Sequence, residues 1–171
     1  AVGKTNIVEA IYYLATGKSL RASEEREVIR EIDHSLPTTD YGRIARVLGK
    51  IDSGEGTELE IIWDGRERFS KLYRVNGVGK RQIDFIGNLI AVLFQPTDIE
   101  IVIGTPSIRR HYLDSVLSQA HKDYRVAHHI YEKALRQRNR ILYRAKKERS
   151  AVSGQQLEYW NELLIANGKT I

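Results

Sequence analysis

The chain has 171 residues, 42% of them hydrophobic and 29% charged, a balance that suits one ordinary globular domain. It holds no cysteine, which excludes disulfides and Cys-based zinc or redox sites, and no apolar run approaches the roughly 18 residues of a membrane span. It also holds no methionine, even at position 1, so a piece of a longer chain is expected.

The net charge of +5 is unevenly placed. Residues 1–120 carry 16 Lys/Arg against 17 Asp/Glu, whereas residues 121–150 carry 10 against 3. The excess positive charge therefore lies in one thirty-residue stretch, a pattern compatible with a nucleic-acid partner.

The first residues end a motif. Gly3-Lys4-Thr5 closes a phosphate-binding loop of the form G-x-x-x-x-G-K-[ST], whose opening glycine would stand five residues before Gly3. In such a loop backbone N–H groups surround phosphates, the Lys reaches the outer phosphates and the hydroxyl ligates Mg²⁺. Two further copies fail the test: Gly17-Lys18-Ser19 has Tyr12 where the opening glycine belongs, and Gly168-Lys169-Thr170 has Leu163. After Thr5, apolar residues at 7, 8, 11, 14 and 15 form the stripe of an amphipathic helix. A helix N-terminus is where phosphate-binding amides point. A lone lysine before an ordinary helix is the alternative on these ten residues.

Gly17 supplies a helix stop. Ser19 to Glu31 reads as loop or short helix, and Pro37-Thr38-Thr39-Asp40 as a break. Three strands then follow, Arg43–Ile51, Thr57–Trp63 and Phe69–Val75, separated by turns at 52–56 and Asp64-Gly65 and ended by Asn76-Gly77. They predict an antiparallel meander. Leu89 to Phe94 is continuously apolar, as in a strand buried on both faces. Gln95-Pro96-Thr97-Asp98 terminates it. Thr105-Pro106 opens a helix running to about Leu117.

From Ala120 the positions Ala120, Tyr124, Ala127, Tyr131, Ala134, Arg138, Ile141 and Ala145 alternate spacings of four and three, a heptad-like seam broken by one Arg. The expectation is a long helical arm with its charge outward. A break at 150–155 and a last helix from Leu157 to Ala166 complete the chain.

Three strings now resemble one family: Gly3 to Ser19; Phe94-Gln95-Pro96-Thr97-Asp98 through Gly104-Thr105-Pro106-x-x-Arg109-Arg110-x-x-Leu113-Asp114; and Lys133 to Asn139. They are similar, in order and nearly over the whole chain, to the bacterial RecF family of SMC-like, ABC-type ATPases of DNA replication and repair. The family often has His where Leu20 stands, and Ser and Glu where Gln95 and Thr97 stand.

The resemblance implies an α/β fold: a partial P-loop ABC-type ATPase head with an antiparallel β-insert and a helical arm subdomain. The head is expected over residues 1–118 and a truncated arm over 119–171. ATP and Mg²⁺ are the implied cofactors. The implied partners are single-stranded or gapped duplex DNA, a second copy in an ATP-dependent homodimer, and recombination mediator proteins, with no membrane. The role implied is recombinational repair and the SOS response, in the cytoplasm at the nucleoid. A weak DNA-dependent ATPase is expected of the full-length protein. The segment alone should be inactive and poorly soluble, because the signature loop and Walker B acid should follow residue 171.

Lys4 is the expected catalytic charge on the phosphates and Thr5 the Mg²⁺ ligand, with Gly3 and Asn6 beside the nucleotide. Gln95 stands where ABC-type ATPases place a glutamine that meets Mg²⁺ or the attacking water; Asp98 reads as a helix cap. Arg110 is expected to pair with Asp114 at i,i+4, while Arg109 is open. His121, His128 and His129 read as polar helix residues rather than metal ligands. Arg140, Arg144 and Lys147 are the DNA candidates on the basic stretch. Two other readings compete: a different SMC-like ABC-type head, and a non-enzymatic DNA-binding helical module with a chance Gly-Lys-Thr.

Overall fold

A computed structural model describes residues 3–19, 25–28, 44–52, 56–65, 69–148 and 154–171. The expected break at 37–40 and most of the 19–31 segment lie outside the described residues, as do Leu20 and parts of the 52–56 and 150–155 breaks. Two compact units form, Ala1–Ile103 and Gly104–Ile171. The helix opened by Thr105-Pro106 falls in the second unit.

The first unit opens with helix α1, Lys4–Thr16. Gly3 precedes it in the left-handed region at φ 105°, and Gly17 closes it at φ 68°, its N–H donating to the Tyr13 carbonyl. A 3-10 turn spans Glu25–Val28. Strands β1 (Ile44–Ile51), β2 (Thr57–Asp64), β3 (Ser70–Val75) and β4 (Val78–Lys80) follow. They form one antiparallel sheet in chain order. The meander is as expected, with β4 added by the Asn76-Gly77 turn. Both residues there have positive φ, 51° and 75°, and the Asn76 carboxamide accepts from the Glu58 N–H at 2.7 Å. This is the primed-turn geometry whose twist matches the strands it joins.

Pairing of Val47 with Ile61, and of Ile61 with Tyr73, places alternate residues of each strand on one face. Leu59, Ile61 and Trp63 of β2 are wholly buried there, with Tyr73 of β3. Tyr13 and Leu14 of α1 and Phe85 of α2 (Gln82–Phe85) complete this core. Tyr13 meets Trp63 edge-on at 4.9 Å between ring centroids. On the opposite face Glu60 is also buried, clasped by Arg46 and by Arg74 at 3.3 Å. The two arginines cover it while staying about half exposed themselves.

Two expectations fail in this unit. The stripe on α1 is covered only at its C-terminal half: Leu14 and Ala15 are buried, but Ile7, Val8 and Ile11 are exposed. The sheet face that receives Tyr13 and Leu14 does not reach the first two turns. The run 89–94 is not a strand, and Ile90, Val92 and Phe94 are exposed. No neighbouring strand among the described residues offers it a ladder, and without one an apolar run cannot become a buried strand. After it come a 3-10 turn at Pro96–Ile99 and α3, Glu100–Ile103.

The second unit is three helices: α4 (Pro106–Ala120), α5 (Lys122–Glu148) and α6 (Gly154–Gly168). The seam is real from Tyr124 onward. Tyr124, Ala127 and Ala134 are buried, whereas Ala120 ends α4 and is exposed. α6 covers the seam in antiparallel sense, since Tyr131 lies against Gly168 and Arg138 against Asn161. The odd Arg is thereby explained: Arg138 Nε donates to the Asn161 carboxamide oxygen at 2.8 Å. No helix among the described residues is long and apolar enough to cross a membrane.

Candidate nucleotide site and basic helix face

The nucleotide candidates are gathered by local chain geometry. Gly3 turns the chain through a conformation that side-chain-bearing residues rarely adopt, and a Cβ there would meet nothing within 4 Å. Its carbonyl accepts the first helical bond, from the Ile7 N–H at 3.2 Å. The N–H groups of Lys4, Thr5 and Asn6 therefore have no intrahelical acceptor and point out of the first turn. The three side chains are exposed there. Lone amide hydrogens, an ammonium and a hydroxyl within one turn form a donor set suited to an oxyanion. Thr5 supplies an oxygen for a hard divalent cation. Asn6 also lines, with Glu9, Ala10, Tyr13, Glu27, Val28 and Val47, a cavity of about 440 Å³ on the flank of α1.

The far end of the same helix is held by local hydrogen bonds and by one lysine of the sheet. Thr16 Oγ1 donates to the Tyr12 carbonyl at 2.8 Å and accepts from the Lys18 N–H at 3.2 Å. Ser19 Oγ donates to Glu9 at 2.8 Å. Lys71 of β3 sits within 5.2–5.4 Å of the Tyr13, Trp63 and Tyr73 ring centres.

Gln95 is not free in this structure. Its side chain accepts from the Asp98 N–H while the Asp98 carboxylate accepts from the Gln95 N–H at 2.7 Å, a reciprocal cap of the Pro96–Ile99 turn. Asp98 is thus the cap the sequence suggests.

In the helical unit the expected Arg110–Asp114 pair does not form. Asp114 turns to α5, accepting from Tyr124 Oη at 2.6 Å, with His128 Nε2 3.4 Å from its other oxygen. The Tyr124 and His128 rings stack at 5.9 Å. Burial, reinforced by the Asp114 carboxylate, pushes the Tyr124 phenol up to about 12. Arg109 donates to the Gly104 carbonyl at 2.9 Å, staying at the start of its own helix. His121, His128 and His129 join no metal-binding group among the described residues.

The basic stretch divides by partner. Arg125 donates to the Ser118 carbonyl, Arg136 pairs with Glu132 at 3.1 Å, and Arg138 is held by Asn161. Arg140, Arg144, Lys146 and Lys147 are exposed and have no ion-pair or hydrogen-bond partner among the described residues. Spacing shows the Arg136–Glu132 pair at i,i+4 but not the anchoring of Arg125 and Arg138, because Ser118 and Asn161 reach α5 from other helices.

The chain is 40% identical over 177 residues to the DNA replication and repair protein RecF of Herpetosiphon aurantiacus, covering 98% of this chain and 46% of that protein. The chain belongs to the RecF family over the length it spans. RecF of Thermomicrobium roseum is 39% identical over 172 residues, 97% of this chain and 42% of its own. A solved structure of the recombination mediator protein RecF-ATPrS in the RecFOR pathway superposes with a TM-score of 0.81 at 30% identity, covering 100% of this chain and 43% of that one. A RecF-ATP structure matches equally, at 0.81 and 31% identity. No family model matches. The fold is accordingly the α/β fold of RecF in part, and the chain spans less than half the length of these relatives. The likeness extends over both units, which sets aside a helical module with a chance Gly-Lys-Thr.

Proposed function

We propose that the chain is part of a RecF-type ATPase of DNA replication and repair, carrying the phosphate-binding end of its nucleotide site and a DNA-contacting helix. One observation carries this reading: Gly3, in the left-handed region, starts α1 so that three unpaired N–H groups and the Lys4 and Thr5 side chains emerge from one turn. Likeness to the RecF-ATP structure supports ATP as the occupant. Lys4 would offset charge on the outer phosphates, and its amide neighbours would orient them. A bound Mg²⁺, with Thr5 as one ligand, would neutralise charge between phosphates. Gln95 would join this site only after leaving its cap on Asp98.

On this reading ATP drives association of two copies, and the protein acts on single-stranded or gapped DNA with recombination mediators in repair and the SOS response, at the nucleoid in the cytoplasm. Arg140, Arg144 and Lys147 would meet phosphates. The test is nucleotide-driven association of the complete protein. Lys4→Ala and Thr5→Ala should each abolish the ATP-dependent dimer in sedimentation; association unchanged in both would defeat the assignment.

A further inference from the structure

The exposed face of α5 carries an aromatic ring that its packing does not use. Tyr143 is 70% exposed and lies outside the seam that α6 covers. It makes no ring contact among the described residues. Its helical neighbours are Arg140 three residues before and Lys147 four residues after, with Arg144 next in sequence, all exposed. From Arg140 to Lys147 the helix rises roughly 10 Å, so the three cations line one short stretch of the helix.

A ring of this kind has two ordinary uses, and its charge surroundings choose between them. An apolar protein partner would have to desolvate three cations to reach Tyr143, which is costly. A nucleic-acid strand neutralises them with its phosphates and can lay a base on the ring. We propose that Tyr143 is a base-stacking residue, and that α5 takes up an unpaired strand with phosphates on Arg140, Arg144 and Lys147 and one base against the phenol ring. This rests on the reading of α5 as a DNA-contacting helix and adds its specificity. In a duplex the faces of the bases are stacked on one another, so the ring has nothing to cover there, whereas unpaired bases present a free face. The cations then supply affinity for any strand, and Tyr143 supplies preference for single-stranded segments.

The test measures binding of the complete protein to a single-stranded oligonucleotide and to the matching duplex across a salt series. Tyr143→Ala should weaken single-strand binding by about 5- to 100-fold, leave duplex binding within about twofold, and leave the salt slope unchanged, because no cation is removed. Tyr143→Phe should keep wild-type preference, since the stacking face survives. Tyr143→Trp should show indole emission quenched by the single strand and not by the duplex. Equal losses on both forms, or no loss on the single strand, would overturn the stacking role. The underlying DNA reading is tested separately: Arg140, Arg144 and Lys147 changed together to Glu should lower affinity for both forms and make the salt slope shallower. If that triple variant binds as wild type does, the helix face is merely solvated and the inference falls with the reading.

Discussion

Lys71 Nζ donates to the Gly17 carbonyl oxygen at 2.6 Å, tying β3 to the C-terminal end of the helix that begins with Lys4 and Thr5. A cation at this end of a helix is favoured by the macrodipole. The Tyr13, Trp63 and Tyr73 rings around it add cation–π attraction. Lys71 therefore adds to the packing of Tyr13 and Leu14 at the same end of α1, and together they fix the axis on which the phosphate-binding residues are carried.

Replacing Lys71 with Met keeps most of the stem volume and removes the charge. The loss of one charge-assisted hydrogen bond and its ring contacts should cost about 1–3 kcal/mol. Urea unfolding of wild type and Lys71→Met checks the value. Equal midpoints would mean that the lysine is only tolerated among the rings.

Gly49 of β1 lies under Leu14 of α1. A Cβ at this position would stand 2.5 Å from Leu14 Cδ1, and Leu14 is buried. Gly49→Ala should therefore destabilise by about 1–3 kcal/mol through overpacking, despite alanine's smaller backbone entropy loss. Leu14→Ala alone should cost about 2–5 kcal/mol. In the double variant the new methyl enters the space left by Leu14, so the combined cost should fall short of the sum. Additive costs in a double-mutant cycle would show that the two positions do not meet.

The Tyr124–Asp114 bond joins α5 to α4 and makes stability pH-dependent at the alkaline end. The Tyr124 phenol stands near 12 in the native state against 10.0 ordinarily. Between those values the native state keeps a proton that the unfolded chain has lost, so the contribution is full below about pH 10 and declines as pH rises towards about 12. Tyr124→Phe should flatten that decline, lowering stability at about pH 9 while losing less between about pH 9 and about pH 11 than wild type. Denaturant midpoints at the two pH values decide it; parallel declines would separate Tyr124 from the effect.

Several features were legible in the residues alone because their causes are local. Gly3 and Gly17 bracket α1 since only a residue without Cβ takes their backbone angles easily. Asn76-Gly77 sets the β3–β4 turn for the same reason. Alternation marked the strands, and four-three spacing marked the seam of α5, Arg138 included. What α1 buries was decided elsewhere: periodicity put Ile7, Val8, Ile11 and Leu14 on one stripe, but the sheet reaches only the last of them. The run from Leu89 to Phe94 has the apolarity of a buried strand, yet a strand exists only where another offers its N–H and C=O groups. Asp114 had a partner four residues away in sequence and took Tyr124 and His128 instead. The chain by itself thus fixes which residues share a face and where the backbone must bend. Which face is covered, and which charge meets which, is settled only when separate elements pack, because burial and ion pairing are properties of two surfaces and not of one.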